Sequence, residues 1–532
     1  MPRRAPAAWM PATVVVALAA WLGWPLPACA TPYDLLRPGD PVEDELRVLD
    51  ALGPGADSAR ALPHLGIRPL QMMELAARVP GAALGEPDGI TRARGISEQR
   101  LARLLWFDGP SPIPAGQPRG ATPRLLQLAY PEGDGFELSA GLEGAGRVAR
   151  DSLPRWLDAT GIHIKASATV DHWLAYVHLV AGYVDSARTF SDPIVPGNDL
   201  TTYTDEAYLA YTGRDANWSI VLGRNRWSFG PGEEGSLMLS ATAPPYTALA
   251  MRARIPALRA DGIVINGTLK SAAGEQLAAH RLEWQPLERL RLGLSEAARY
   301  TSPSWQPLYL VGVIPYTLVQ RLQVQDEPES STVLRNNVMV GGDVTWRVVR
   351  GVRAYGEILI DDLHAKTASV PNKYAYQLGL DGVGVPWGRR VTWGAEFTRV
   401  SRYVYTSFFG ESFVVEGRPL GWPYGPDSRR LRIRGAWDAS ADWSVLAAVA
   451  WTDQGEAGLD TPFVPGSPPA DASQLLGVVT HMREAEVGLR WWPQSSVLLE
   501  ARAGWTATDN TGHVSGTDTH GAWGQAYVKL MR

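Results

Sequence analysis

The chain has 532 residues, with 50 basic and 55 acidic side chains, 54 glycines, 21 tryptophans and one cysteine, Cys29. A formal charge of −5 gives no reason to expect nucleic acid as a partner, and one cysteine excludes a disulfide framework and cysteine-based metal sites. The length suggests about three soluble domains, but a large β-barrel forms a single unit at this length. Abundant tryptophan is typical of the aromatic girdles of membrane barrels.

Residues 1–30 have the pattern of an export signal. The start is basic, residues 14–22 are apolar, and residues 28–30 form an A-x-A cleavage site. The apolar run is too short to cross a bilayer as a helix. The alternative is lipoprotein processing, because a loose lipobox precedes Cys29 and would leave that cysteine lipidated at the new N-terminus.

Residues 31–120 are predicted to form a helical region with a linker. Apolar residues recur at spacings of three and four in segments 42–52, 69–79 and 97–107, which predicts three short amphipathic helices. The Pro/Gly-rich stretch 109–123 follows as a linker. Helices this short are marginal alone in water, so we expect them to pack on one another or on the rest of the chain.

From residue 121 onward polar and apolar residues alternate. In one segment Val352, Ala354 and Ile358 alternate with Arg353 and Glu357. Runs of about nine to eleven residues match tilted strands that cross a bilayer, and their charged residues require a polar lumen. At roughly 22 to 25 residues per strand with its loop, the sequence predicts a mainly β fold: a large transmembrane antiparallel β-barrel of about 16–18 strands over 121–532, with a small N-terminal three-helix bundle.

Residues 223–240 are the densest run of special residues. A phosphate-binding loop would open a helix that carries a lysine, whereas here Glu233, Glu234 and three apolar residues follow. We interpret the run as a turn that folds inward against the barrel wall. Its structural residues are Gly230, Pro231, Gly232 and Gly235.

Four segments, in order along the chain, resemble the signature of the Wzi capsule-assembly family of outer-membrane β-barrel proteins. Segment 227–244 contains W-S-F-G-P-G, G-S-L-M-L-S and A-P, and segment 290–300 contains L-G-x-S-E. Segment 355–362 reads Y-x-E-x-x-x-D-D, and segment 417–427 reads G-x-P-L-G…G-x-D. The chain departs from the pattern at Phe229, where a smaller residue is expected, and it ends without a terminal aromatic residue.

This resemblance implies a periplasmic helical bundle joined to a monomeric barrel with a narrow or closed lumen, in the outer membrane of a Gram-negative bacterium. The implied role is lectin-like anchoring of capsular polysaccharide or exopolysaccharide, without a cofactor. Outer-membrane lipid, lipopolysaccharide and the barrel-assembly machinery are the other expected partners. The alternatives are a porin-like channel and an accessory to polysaccharide export.

Charged side chains at lumen-facing positions predict either a salt-bridged plug or a basic stripe that attracts anions. The ladder Arg430, Arg432 and Arg434 needs counter-charges, and Glu396 is among the acidic residues at suitable positions. We favour the plug because the lumen-facing positions carry both basic and acidic side chains. The predicted lumen network comprises Arg353, Glu357, Asp361, Arg430, Arg432, Arg434, Glu484 and Glu486.

Polysaccharide recognition is expected to use aromatic residues in long loops, because the C–H faces of sugars stack on rings. The candidates are Trp305, Tyr403, Tyr405, Phe408, Trp422 and Tyr424. For each of them the alternative is a position in an interfacial girdle.

Enzyme chemistry is not expected, since the sequence contains no G-x-S-x-G and no H-E-x-x-H. No metal site is predicted either. Asp361 and Asp362 are interpreted as a strand end rather than a calcium pair. Three histidines, His163, His172 and His178, are interpreted as lumen-lining, and a remaining hydrolase alternative places His172 and Asp171 at the barrel rim.

Overall fold

The computed structural model describes residues 35–36, 41–53, 65–71, 89–104, 126–129, 135–149, 155–156, 160–183, 192–193, 200–213, 217–319, 336–362, 371–407, 412–464, 474–494 and 497–531. The predicted export signal, the predicted linker and Phe408 lie outside these residues.

Eighteen antiparallel strands close into one barrel, which confirms the predicted fold at the upper end of the expected strand count. Closure comes from pairing of the last strand with the first, from Trp523 opposite Ala149 to Met531 opposite Gly141. The strands are β1 (Gly135–Ala149), β2 (Thr160–Val170), β3 (Trp173–Tyr183), β4 (Leu200–Thr212), β5 (Trp218–Asn225), β6 (Tyr246–Ile255), β7 (Ala260–Lys270), β8 (Glu275–Leu287), β9 (Leu290–Thr301), β10 (Asn336–Val349), β11 (Val352–Asp362), β12 (Lys373–Gly384), β13 (Arg390–Val400), β14 (Ser428–Asp438), β15 (Trp443–Gln454), β16 (Thr480–Gln494), β17 (Val497–Asp509) and β18 (Thr519–Met531).

The two ends of the barrel differ. At one end the strands meet in short connections such as Asp171-His172, Glu288-Arg289 and Arg350-Gly351, and we call this the turn end. At the other end longer segments connect them, including 226–245 and 401–427, and we call this the loop end.

Apolar side chains cover the outer face of the barrel. In β11, Arg353 and Glu357 are buried in the lumen whereas Ile358 is 47% exposed on the outside. Exposed tryptophans ring the outer face near the turn end, namely Trp173, Trp218, Trp284, Trp346, Trp437 and Trp443. An apolar band bordered by an aromatic girdle is the surface that a lipid bilayer requires of a barrel.

Two helices precede the barrel. The predicted helix 42–52 is present as α1 (Val42–Leu52). Residues 97–104 of the predicted helix 97–107 belong to a longer α2 (Gly89–Leu104), and residues 105–107 lie outside the described part. The helix predicted at 69–79 is wrong at its start, because Leu70–Gln71 forms a short strand with Leu35–Leu36; residues 72–79 lie outside the described part. None of the helices in the described ranges has the length and apolar character needed to cross a membrane.

Helix α1 lies across the turn end of the barrel. Its acidic first turn suits the positive end of the helix dipole, and Gly53 ends it with a positive φ of 76°. The carboxylate of Glu45 contacts Arg100 of α2 at 2.6 Å and Arg390 of β13 at 2.7 Å, and Asp50 contacts Arg291 of β9 at 2.7 Å. Ion pairs therefore fix the helices to the barrel.

One segment of the loop end, residues 303–319, lies on the outer face of the barrel. Tyr309 and Tyr316 pack there against Tyr300, and they cover a polar contact of 3.3 Å between His280 Nε2 and Glu296 Oε2. The Tyr316 N–H also donates to Glu296, at 2.6 Å. This cover keeps the pair away from lipid.

Candidate functional site

Residues 226–245, which we call the inward loop, connect β5 to β6 and fold into the lumen. The loop places its apolar side chains against the inner wall, where Ile265, Met339 and Leu359 are fully buried. The buried side chains of the loop are Trp227, Phe229, Leu237, Met238 and Leu239. Part of the lumen is therefore a hydrophobic core built by this loop.

The predicted turn residues lie in the tightest part of the inward loop. Gly230 has a φ of 117°, and a Cβ there would lie 2.6 Å from the Glu357 carboxylate. A Cβ on Gly232 would lie 2.3 Å from the carbonyl oxygen of Gly235. Pro231 between them is buried. Larger residues at the two glycines would push the loop off the wall.

A segment of the N-terminal region enters the lumen and meets the inward loop. Residues 67–68 pair as a short strand with Ser228–Phe229. Arg68 donates to the Ser228 hydroxyl at 2.8 Å and to the Gly230 carbonyl at 3.0 Å, and its other terminal nitrogen lies 3.1 Å from Glu43. The lumen is thus filled from both ends by segments that bond to each other.

The arginine ladder of β14 is matched by acidic residues. Arg430 lies 2.9 Å from Glu234 of the inward loop and 2.9 Å from Glu484, while Arg434 is paired with Glu233. Arg432 lies 3.4 Å from Glu486. These contacts form a salt-bridged plug rather than a bare basic stripe.

Three acidic residues considered as partners of the ladder have a different role. Glu357 accepts the N–H of Leu237 at 2.9 Å, and Asp361 accepts the N–H of Tyr405 at 2.8 Å. Glu396 accepts the N–H of Glu233 at 2.8 Å. These carboxylates hold loop backbone, because an inserted loop leaves amide groups that need acceptors.

Arg353, the remaining member of the predicted network, lies near the turn end. It contacts Asp381 at 2.6 Å and Asp50 of α1 at 3.5 Å. It therefore helps to dock the N-terminal helix and does not belong to the ladder.

The counter-charges that the sequence analysis missed are Glu233 and Glu234. In the sequence these two residues argue only against a phosphate-binding loop. Burial opposes ionisation of Glu233, but Arg434 and Arg47 hold the pKa of its carboxyl below the ordinary value. Two consecutive glutamates within a glycine-rich turn were the available signal.

Two of the predicted sugar-binding aromatics are in the wrong environment for that role. Tyr405 and Trp422 are both 0% exposed. The Tyr405 hydroxyl donates to the Leu237 carbonyl at 2.5 Å and accepts from the backbone N–H of Trp422 at 3.0 Å. Their rings pack between the loop end and the inward loop, so they cannot stack on a sugar.

The other described candidates are half-buried. Trp305 donates its indole N–H to the Thr268 hydroxyl at 3.2 Å. The Tyr403 ring packs edge-on against the Phe463 ring, with 5.7 Å between the ring centres. The Arg430 guanidinium lies 4.9 Å from the centre of the Tyr424 ring. Burial raises the pKa of Tyr424 to about 12, so its hydroxyl stays protonated at neutral pH.

Asp427, the last residue of the fourth family-like segment, joins two loops at the loop end. Its carboxylate accepts the N–H groups of Ala457 at 3.1 Å and Leu476 at 3.0 Å. Burial raises the pKa of this carboxyl. The end of this segment therefore holds neighbouring loops together below the exposed surface of the loop end.

The residues considered for hydrolysis do not converge. Asp171 and His172 form the connection between β2 and β3 at the turn end, which is the opposite end of the barrel from the loop end. Asp361 is buried in the lumen, whereas Asp362 pairs with Lys373 at 2.6 Å and its side chain is 42% exposed. His163 and His178 instead meet inside the wall, with ring nitrogens 2.9 Å apart.

The closed eighteen-strand wall, the outer apolar band and the filled lumen define a plugged β-barrel of the outer-membrane type. Residues 158–522 match the family described as capsule assembly protein Wzi. Because the match covers more than half of the chain, the protein belongs to this family.

The fold also resembles that of solved barrels. Wzi from Escherichia coli, described as an outer-membrane protein involved in group 1 capsule assembly and a carbohydrate-binding β-barrel, superposes with a TM-score of 0.61 at 15% identity, over 93% of this chain and 99% of that chain. OccAB1 of Acinetobacter baumannii gives a TM-score of 0.44 at 8% identity, over 77% of this chain and 99% of that chain. OccD3 of Pseudomonas aeruginosa gives a TM-score of 0.42 at 11% identity, over 78% of this chain and 97% of that chain. A sequence search of curated proteins finds no match.

Proposed function

We propose that this protein is an outer-membrane barrel that binds capsular polysaccharide or a related exopolysaccharide and anchors it at the cell surface, without catalysing a reaction. The observation that carries the proposal is a filled lumen in a member of the capsule assembly protein Wzi family. A barrel with a filled lumen has no passage for a polymer, so a polymer can bind only at the surface of the barrel that is exposed outside the membrane. The carbohydrate binding described for Escherichia coli Wzi supports the same function.

The orientation follows from the connections between strands. Outer-membrane barrels have short periplasmic turns and longer extracellular loops. In this protein α1 and α2 lie at the turn end, so the helical region is periplasmic in our proposal. The loop end then faces outward, towards lipopolysaccharide and the polymer.

The polymer-binding surface in this proposal is the loop end around Tyr403 and Tyr424, with Trp305 at its edge. Each of these rings keeps part of its surface exposed. Arg430, which is buried and paired with Glu234 and Glu484, lies against the Tyr424 ring and holds it in place. The exposed faces of these rings are available to stack on the C–H faces of sugars.

A binding experiment with the full-length barrel in detergent tests this surface. Purified polysaccharide from the producing strain is titrated into the wild type and into Tyr403→Ala, Tyr424→Ala and Trp305→Ala, and the heat of binding is measured. The matched control is Trp387→Ala, because Trp387 is 93% exposed at the turn end. We expect weaker binding for loop-end variants and unchanged binding for the control. Equal binding by all variants would contradict the assigned surface.

A deletion strain tests the function itself. Cell-associated and released polymer are quantified in the parent, in the deletion strain and in the complemented strain. We expect the deletion to shift polymer from cells to medium while total synthesis stays constant. The chain length of polymer incubated with pure protein should also stay constant, since turnover would show that the protein is an enzyme.

A further inference from the structure

A cluster of histidines and carboxylates lies inside the barrel wall formed by β2, β3 and β4. The Nδ1 atom of His178 is 3.5 Å from Oδ2 of Asp205 and 3.8 Å from Oε2 of Glu206. All three ligand atoms lie within 4.8 Å of one another, and the three residues are at most 5% exposed. Neither the polymer-binding surface nor the salt-bridged plug uses them.

A β-bulge creates this cluster. The pairing of β4 with β3 shifts between Thr204, which lies opposite Leu179, and Glu206, which lies opposite His178. In a regular strand Asp205 and Glu206 would face opposite sides, so one of them would face lipid. The bulge turns both carboxylates into the lumen, and bulges often serve to aim side chains at a site.

Neighbouring residues orient the donor atoms towards a common point. Arg226 contacts Oδ1 of Asp205 at 2.6 Å and Oε1 of Glu206 at 3.9 Å, so Oδ2 and Oε2 are the oxygens that face His178. On the opposite side, Nε2 of His178 lies 2.9 Å from Nδ1 of His163. In the tautomer with the proton on Nε2 of His178, that N–H donates to His163 and the lone pair of Nδ1 points at the carboxylates.

We propose that His178, Asp205 and Glu206 bind a divalent transition-metal ion, with Zn²⁺ as the favoured ion. Zn²⁺ takes nitrogen and oxygen donors at about 2.0–2.2 Å, which separates two donors of a tetrahedral site by about 3.3–3.6 Å. The separations of 3.5 Å and 3.8 Å from His178 are close to this range, and the two carboxylate oxygens, which lie within 4.8 Å of each other, would close around the ion. A cation also offsets the repulsion between two buried carboxylates on consecutive residues.

His163 then acts as a positioning residue. Metal-bound histidines commonly donate their second ring N–H to a fixed acceptor, which sets the tautomer and ring orientation. Arg226, the first residue of the inward loop, contacts Asp205 and so connects the loop to the site. A bound ion would therefore tie β3, β4 and the start of the inward loop together.

The competing arrangement is an ion pair between protonated His178 and the two carboxylates, with no metal. It predicts that the purified barrel takes up no Zn²⁺ at this position. The two arrangements differ in metal content, in affinity and in spectrum, so one set of measurements separates them.

The experiment uses full-length barrel purified without a polyhistidine tag, treated with chelator and then titrated with Zn²⁺ and with Co²⁺. We expect one Zn²⁺ per chain, and with Co²⁺ the strong visible absorption of a four-coordinate site. His178→Gln and Glu206→Gln should lose the site, and His163→Gln should weaken affinity by about 10- to 100-fold. His172→Gln is the matched control, because it removes a histidine from the adjacent connection and should bind like the wild type.

Circular dichroism identifies any variant that fails to fold, and Glu206→Gln then replaces His178→Gln as the deciding variant. The proposal is overturned if the wild type binds no stoichiometric Zn²⁺. It is also overturned if folded His178→Gln and Glu206→Gln bind Zn²⁺ as tightly as the wild type, because the ion would then occupy another site.

Discussion

Arg68 connects three parts of the chain inside the lumen. Its guanidinium contacts Glu43 of α1 and the Ser228, Gly230 and Ser236 groups of the inward loop. Arginine suits this position because its planar group offers five donors in fixed directions.

Replacing Arg68 by Met is expected to lower the free energy of unfolding by about 3 kcal/mol or more, because a buried carboxylate loses its partner. The measurement is urea unfolding in detergent followed by tryptophan fluorescence. Arg483→Met is the control, since Arg483 pairs with Asp509 on the surface with its side chain 63% exposed. Such exposed pairs contribute roughly 0–1 kcal/mol, and equal losses in both variants would contradict the role of Arg68.

Glu45 gives the docking of α1 a defined pH dependence. Burial opposes its ionisation, but Arg390 and Arg100 hold the pKa of this carboxyl well below its ordinary value. The unfolded pKa of a glutamate is about 4.3. Because the folded pKa is lower, the stabilisation is fully present above that value and is lost as pH falls towards the folded pKa.

We therefore expect the stability advantage of the wild type over Glu45→Gln to be constant above about pH 5 and to shrink progressively in more acidic solution. Thermal unfolding of both proteins between pH 3 and pH 8 measures the difference, so shared effects of other groups cancel. An advantage that grows on acidification would show that Glu45 is not held as an anion.

At the scale of elements, the inward loop is held by its own glutamates. Sequence patterns identified the loop, its glycines and its inward direction, since these depend on local residue types. The partners Arg430 and Arg434 lie on a strand about 200 residues later in the chain. No local pattern states which face of a distant strand meets a loop, so the pairing became visible only in the folded barrel.

The double substitution Glu233→Gln and Glu234→Gln is expected to loosen the inward loop while the barrel wall stays intact. The ladder arginines would lose their loop partners, and the backbone amides of residues 232–239 should exchange hydrogen at least tenfold faster, which corresponds to about 1.4 kcal/mol. Hydrogen-exchange mass spectrometry measures this. Glu288→Gln, at an exposed connection of the turn end, is the control and should leave the exchange unchanged.

At the scale of the whole molecule, the filled lumen predicts that the barrel does not conduct ions. The inward loop packs against the wall, and residues 65–71 reach it from the N-terminal region. A porin-like channel would need an open path along the same axis.

In planar bilayers we expect the wild type to give no steady large conductance. Deletion of residues 231–239 with a short Gly-Ser replacement should open the lumen and give measurable channels. Steady channels in the wild type would favour the porin alternative, and silence of a folded deletion variant would show that other segments close the barrel.

The sequence by itself determined the barrel class, the alternation of lumen and lipid faces, helix α1 and the family-like segments. These features follow from short-range periodicity and from residue types that report burial directly. Tertiary structure alone decided that Trp422 and Tyr405 are buried, that Glu233 and Glu234 neutralise the arginine ladder, and that His178 meets Asp205 and Glu206. Each of these depends on strand register, on a bulge or on a loop that enters the lumen, and register is set by the closure of all eighteen strands together.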